Sequence, residues 1–506
     1  MIAYILIESY LFLGLSVLGA AYNVSSTSEH CSDLFDFTGD AGLEAPTKVS
    51  NATYVPANTT SGIPAYCSIL AHVETSGGDT RYLAYLPADG SDWVGTFVAH
   101  GCGGSCGSLG LDYAYGYGSF GNGYGRDAVA MGFMIIQNDL GHDSTLTNDT
   151  SSSWNAFRNN RTNENNFAFL STHVTTVSGK ALAEFYYGVY PKRSIFRGGS
   201  TGGRQGLISA ARYPHDFDGI ITGYGALNET GIGAIQYPYL AQVSQYGNGT
   251  QILSSADLYS LNAGALAVCD ENDGLVDGVI DNSYACDFDP VTILCANKTL
   301  TTTHGCLDSM SKVAAARKMY GWPSNSYSNQ LVYARYPPGS ELSWALFTTV
   351  AGANFASSFT INAAFQQDLV NWTLDQYDWD VYPYATAYME DIYSTDFTNL
   401  GVFRAKGGKI LHYQGWADGS VAAGWNVEVY QKTIDTIGYN TTIDFHRLFM
   451  LPGAAHIDIN QNVDGVVGWR ADYYGMLNAW LDTGVAPETL VVEHWNYTTG
   501  AVIDTR

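Results

Sequence analysis

The chain has 506 residues, with 48 Asp and Glu against 23 Lys and Arg and a formal net charge of −25 at pH 7. That charge repels nucleic acid and anionic lipid, and no basic cluster offers a local exception, so neither is expected as a partner. The length allows one large catalytic unit carrying a substantial insertion.

The first segment, MIAYILIESYLFLGLSVLGAAYN, has an apolar run followed by Gly19, Ala20 and Ala21. It reads as a signal peptide over residues 1–21, although it lacks Lys and Arg and contains Glu8. Asn-x-Ser/Thr sites at Asn51, Asn58, Asn148, Asn228, Asn248, Asn297, Asn371, Asn440 and Asn496 suit a eukaryotic secretory route. In that oxidising compartment the eight cysteines are expected in disulfides, because no Cys-x2-Cys pair is followed by a suitable second one. No later stretch is long and apolar enough to span a bilayer, so the mature protein is expected to be secreted and soluble.

After the signal segment, β-rich runs end at turn residues: RYLAYLP (81–87), TFVAHG (96–101), FMIIQND (133–139), RSIFRGG (193–199) and GIITGYGA (219–226). Between them, residues 174–189 and 203–214 carry apolar side chains at helical spacing. Strands alternating with helices predict an α/β fold built on a mostly parallel sheet. The alternation stops near residue 226 and resumes with KILHYQGWAD (409–418), a helix over 424–438, FHRLFMLPGAAH (445–456) and LVVEHW (490–495). The catalytic domain is therefore expected over 22–226 and 396–506. Residues 227–395, rich in Tyr, Trp, Asn and Gly and holding four of the eight cysteines, are expected to form an inserted lid.

Within that frame RGGSTGGRQ (197–205) places Ser200 in a G-x-S-x-G motif between a strand and a helix. Small flanking residues permit a sharp turn that lifts the hydroxyl above the sheet, and the Thr201 N–H at the helix start is placed to stabilise an oxyanion. Such a serine needs an acid and then a histidine after later strands. Asp418 closes one strand, and His456 lies in the loop after the next. His142 precedes the serine and His494 lies on a near-terminal strand, so neither fits that order. The glycine loop AHGCGGSCGSLG (99–110) follows an early strand, where Gly103 or Gly104 can supply a second oxyanion N–H.

In the insertion, CDENDGLVDGVIDNSYAC (269–286) spaces Asp270, Asp273 and Asp277 with Gly274 and Gly278 between them. Carboxylates on so short a loop repel one another unless a hard cation such as calcium gathers them.

These residues resemble the fungal tannase and feruloyl esterase family: GGSTGGRQGLISAARYPHDFDGIITG is similar to that family's nucleophile region, and HVTTVSGKALAEFYYG, NDLGHDS and HYQGWAD to its neighbouring landmarks. The resemblance implies an α/β-hydrolase fold with a large lid, and hydrolysis of aromatic acid esters by Ser200, Asp418 and His456. The implied substrate is a small aromatic ester, free or attached to plant polysaccharide or polyphenol. It also implies a structural calcium held by the carboxylates of Asp270, Asp273 and Asp277 and the main-chain carbonyls of Leu275 and Val279. With it come disulfides Cys269–Cys286 and Cys295–Cys306, while the pairing of Cys31, Cys67, Cys102 and Cys106 stays open. The family's cysteine pair beside its serine and histidine is replaced here by Gly199 and Ile457. Two other readings use the same residues: an acyltransferase working through the same triad, and a catalytically silent binding module.

Overall fold

Strand residues that alternate along the chain divide between the two faces of one nine-stranded sheet. The computed structural model describes residues 28–39, 46–75, 77–111, 124–144, 153–246, 249–296, 299, 304–321, 335–369, 371–394, 397–456, 459–460, 467–496, 499 and 501–505. The predicted signal segment, Asn148, Asn248, Asn297 and Ile457 lie outside them. The strands are β1 (Thr47–Val55), β2 (Tyr66–Thr75), β3 (Gly78–Pro87), β4 (Thr96–His100), β5 (Phe133–Asn138), β6 (Arg193–Gly199), β7 (Gly219–Gly223), β8 (Lys409–Gly415) and β9 (His446–Leu451). Their order is β1-β2-β3-β5-β4-β6-β7-β8-β9. The pairings from β1 to β5 are antiparallel and those from β5 to β9 are parallel.

Phe97, Phe196, Ile220 and Ile410 enter one apolar core with Leu182, Leu207 and Ile208. Their chain neighbours Val98, Ile195, Ile221 and Leu411 enter the opposite core with Tyr473, Leu477 and Trp480. A period of two thus places consecutive apolar residues under helices on both faces, as a parallel sheet requires. The covering helices include Ser171–Tyr187 and Thr201–Arg212 on the first face and Tyr473–Thr483 on the second.

Between β7 and β8 the chain leaves the sheet and is mainly helical, with helices Tyr237–Ser244, Ser255–Cys269, Met310–Tyr320 and Val350–Asn362. This part has its own apolar cluster, including Leu261, Ile293, Leu307, Met319 and Trp344, which also takes in Val421, Ala422 and Trp425 from beyond β8. Its disulfides are Cys269–Cys286 and Cys295–Cys306, the two that the resemblance implied. The four remaining cysteines pair as Cys31–Cys67 and Cys102–Cys106.

Two expectations are corrected. β7 stops at Gly223 instead of running to residue 226, because Tyr224 takes a left-handed backbone with φ of 51°. The run 490–495 does not continue the main sheet. Its strand β12 (Glu493–Asn496) joins β10 (Ile459–Asn460), β11 (Val467–Arg470) and β13 (Val502–Thr505) in a separate antiparallel sheet, and β9 is left as the edge of the main one. Among the described residues no helix is long and apolar enough to cross a membrane.

Candidate active site

Ser200 occupies the turn between β6 and the helix Thr201–Arg212 with φ of 61° and ψ of −124°, a conformation that L-residues adopt only under constraint. The constraint is visible in the main chain: the Ser200 N–H donates to Gly223 O at 3.0 Å, and Ser200 O accepts from Ala226 N–H at 3.0 Å. Glycine is required beside it. A Cβ at Gly198 would lie 2.6 Å from the Gly202 carbonyl, and one at Gly203 would lie 2.6 Å from Gly223 O. Strand, serine and helix therefore pack closer than any side chain permits, and the serine hydroxyl is left facing outward.

The loop after β9 brings His456 to this hydroxyl, with Nε2 3.0 Å from Ser200 Oγ and Nδ1 2.9 Å from Asp418 Oδ2. An ionised carboxylate only accepts, so Nδ1 carries the proton and Nε2 is the acceptor for the serine O–H. Asp418 is wholly buried. Its Oδ1 accepts from the N–H groups of Ser420 and Val421, both at 2.8 Å, and Oδ2 also accepts from Gln414 Nε2 at 3.0 Å. A buried carboxylate with this many donors is fixed in direction. Gln414 was not singled out from the sequence, although it stands in the HYQGWAD segment and its spacing from Asp418 on a strand end was the available signal.

The other histidines do different work. Burial pushes His142 down to about 4. Its ring sits under Gly107, where an added Cβ would come within 2.8 Å. His494 stacks on Trp469 at 4.5 Å in the smaller sheet.

The glycine loop after β4 is closed by the Cys102–Cys106 disulfide and by a hydrogen bond from Cys106 N–H to Gly103 O at 3.0 Å. Two side chains of the helix Thr201–Arg212 hold it: Thr201 Oγ1 donates to Gly104 O at 2.6 Å, and Gln205 Oε1 accepts from Cys102 N–H at 3.1 Å. The Cys102 N–H is thereby occupied. Gly103 and Gly104 are exposed, and among the described residues neither donates its N–H to a main-chain carbonyl.

The inserted segment touches the loop that carries Asp418. Ser343 Oγ donates to Ala417 O at 3.5 Å, and a Cβ at Gly419 would lie 2.3 Å from Ser343 Cβ. Gln236 Nε2 donates to Ser420 O at 3.3 Å. Gly199 ends β6, while Ile457 falls outside the described residues.

The acidic loop follows helix Ser255–Cys269 and is closed by Cys269–Cys286. Its carboxylates are engaged by the loop itself: Asp270 accepts from the N–H groups of Asp277 and Gly278, Asp273 from Leu275, and Asp277 from Val279. The five donors are all oxygens, which suits a hard cation in chemistry. Among the described residues, however, no three His, Cys, Asp or Glu side chains are grouped so that they could hold a metal ion.

Residues 67–506 match the family model described as tannase and feruloyl esterase. A probable feruloyl esterase B-1 of Aspergillus fumigatus is 30% identical over 443 residues, covering 84% of this chain and 78% of the relative. The crystal structure of feruloyl esterase B from Aspergillus oryzae aligns with a TM-score of 0.77 at 24% identity, covering 95% of this chain and 94% of that one. A tannin acyl hydrolase from Aspergillus niger aligns with a TM-score of 0.71 at 19% identity, covering 93% of this chain and 90% of that one. The last two likenesses are of fold, and the shared fold is that of the α/β-hydrolases.

Proposed function

The chain belongs to the tannase and feruloyl esterase family, and from that premise we propose that Ser200, His456 and Asp418 carry out its ester hydrolysis through an acyl-enzyme. The class is carboxylic ester hydrolase, acting on esters of aromatic acids. The observation that carries the assignment of roles is the chain of contacts from Ser200 Oγ through His456 to Asp418, at 3.0 Å and 2.9 Å, on a constrained turn.

Ser200 Oγ attacks the ester carbonyl while His456 Nε2 takes its proton. Asp418 holds the imidazole in the tautomer that accepts at Nε2 and offsets the charge of the imidazolium. The negative charge that develops on the carbonyl oxygen is met by the Thr201 N–H, at the positive end of its helix, and by an N–H from Gly103 or Gly104. His456 then returns the proton to the departing alkoxide, which leaves as the alcohol. Water, deprotonated by the same imidazole, releases the free acid and restores Ser200.

The substrate is narrowed to hydroxybenzoic and hydroxycinnamic esters, of feruloyl or galloyl type, with the inserted segment forming the acid-side pocket. We place the protein outside the cell as a glycoprotein. Of its glycosylation sites Asn51, Asn58, Asn371 and Asn440 are exposed, whereas Asn228 is half-buried with its side chain accepting from Gly231 N–H. Calcium at Asp270, Asp273, Asp277, Leu275 and Val279 is proposed on donor chemistry alone. It would stiffen the insertion, and no step of the reaction passes through it. A calcium-dependent rise in Tm that is lost in Asp273→Asn supports this; a Tm indifferent to calcium and chelator removes it.

Wild-type protein and Ser200→Ala are compared on methyl gallate, methyl ferulate, methyl p-coumarate and a short-chain nitrophenyl ester, with acid release measured. Serine-dependent release from one aromatic ester is the expected result. Release from the nitrophenyl ester alone would remove the aromatic assignment, and ester formation with added alcohol in place of acid would make the protein an acyltransferase.

A further inference from the structure

The turn that ends β7 contains a second constrained residue. Tyr224 has φ of 51°, is fully buried, and lies between Gly223 and Gly225. A glycine would adopt the left-handed backbone without penalty, whereas an L side chain there is strained. Strain of this kind persists only where the surroundings over-determine it.

Here the surroundings are those of the nucleophile. Gly223 O accepts from Ser200 N–H, Ala226 N–H donates to Ser200 O, and Tyr224 N–H donates to Tyr413 O at 3.1 Å. Gly225 O accepts from Asn426 Nδ2 at 3.1 Å. The segment that shapes the serine turn therefore has no freedom to relax at Tyr224. Its ring lies 5.8 Å from the His456 ring, centre to centre, at 74°. On another side it meets Tyr413 at 5.5 Å and 90°. It also fills the space beside Gly415, where an added Cβ would come within 2.9 Å of Tyr224 Cε1 and 2.2 Å of Ala454 O.

We propose that Tyr224 is a positioning residue that fixes the His456 imidazole against the serine turn. The inference rests on the reading of Ser200, His456 and Asp418 as the triad. The main chain of the Tyr224 segment sets the Ser200 backbone, and its ring sets one wall for the histidine. One rigid unit thus fixes both partners of the proton transfer. Without the ring, the imidazole keeps its bond to Asp418 but loses the wall that limits its tilt, and the approach of Nε2 to Oγ degrades. Misplacement on this scale acts on the chemical step and leaves ester binding alone.

The test uses full-length protein, a nitrophenyl alkyl phosphonate that labels an activated serine, and steady-state hydrolysis of a reactive ester. Tyr224→Phe keeps the ring and is expected within about twofold of wild type in labelling rate and kcat. Tyr224→Leu removes it and is expected to lose about 10- to 100-fold in both, with KM within twofold. If the leucine variant fails to fold, Tyr224→Gly, which accepts the left-handed backbone without strain, carries the same comparison. A ringless variant that labels at the wild-type rate overturns the proposal, as does one whose loss lies in KM. So does a phenylalanine variant as impaired as the ringless ones. Wild-type protein left unlabelled at Ser200 would remove the triad reading itself, and the proposal with it.

Discussion

The Val279 side chain, from the inserted segment, packs against Gly453 in the loop that leads to His456. A Cβ at Gly453 would lie 2.9 Å from Val279 Cγ1, and Gly453 has φ of 62°. Val279 also lies within the acidic loop, and it is 3% exposed. The insertion is therefore in direct contact, at this point, with the loop that leads to His456.

Gly453→Ala meets both a steric and a backbone penalty, and a loss of about 2 to 3 kcal/mol in stability is expected. Val279→Ala removes the steric part, so the double variant should recover some of the loss and retain the backbone part. Urea unfolding of the four proteins of this cycle checks the coupling, and strictly additive losses would place the two side chains out of contact.

Arg204, on the helix Thr201–Arg212, is wholly buried and donates to the carbonyls of Phe167, Ala168 and Tyr393, with Nε 3.3 Å from Glu229. Burial pushes the Glu229 carboxyl up to about 7, against the pull of the guanidinium. Arg204→Met leaves that acid buried without its cation and strips three carbonyls of a donor, so a loss of about 3 to 5 kcal/mol is expected. Adding Glu229→Gln should restore part of it, because the uncompensated group is then neutral. Thermal unfolding of the single and double variants measures this.

Stability should also fall in mild acid through a buried histidine pair. His412 Nδ1 lies 3.2 Å from His446 Nε2, and His412 Nε2 lies 2.8 Å from Asn426 Oδ1. Burial pushes His412 from 6.5 down to about 4 and His446 well below its ordinary value. Above pH 6.5 both folded and unfolded chains hold them neutral and the contribution is complete. As pH falls from 6.5 towards 4, only the unfolded chain takes up protons, and stability drops by about 3 kcal/mol for His412 alone. Urea midpoints across this range should fall more steeply for wild type than for a His412→Leu, His446→Leu double variant. Equal slopes would contradict the assignment.

The Cys102–Cys106 bridge and the Thr201 Oγ1 contact with Gly104 O hold the glycine loop in one shape. Replacing both cysteines with alanine is expected to lower kcat about tenfold with KM little changed, because an oxyanion donor acts chiefly in the transition state. Thr201→Val should act in the same direction. A rise in KM at constant kcat would instead assign the loop to ester binding.

What the sequence made legible was local. Short apolar runs such as TFVAHG and GIITG mark strands because both faces of a parallel sheet are buried and the runs end at turn residues, and Ser200 is marked by glycines whose need is steric and immediate. The contacts of Asp418 and His456 with each other and with Ser200 were legible from chain order, since an acid and then a histidine follow the serine after later strands. Tyr224 was not, because TGYGA reads as a strand continuing to residue 226 and its turn is imposed by bonds to Ser200 and Tyr413, far apart in the chain. The contact of Val279 with Gly453 and the pairing of Cys31 with Cys67 likewise depend on where the insertion and the first strands come to rest. The smaller sheet escaped notice because strands of two to four residues are too short to show alternation.

The most direct test of the central claim is to quench the reaction with a nitrophenyl ester of an aromatic acid in its first turnover and map the protein by mass spectrometry. The account predicts an adduct of the acyl mass on the peptide containing Ser200, formed with a burst of nitrophenol and absent from Ser200→Ala. Turnover without an adduct, an adduct on another residue, or hydrolysis that survives in Ser200→Ala would contradict it.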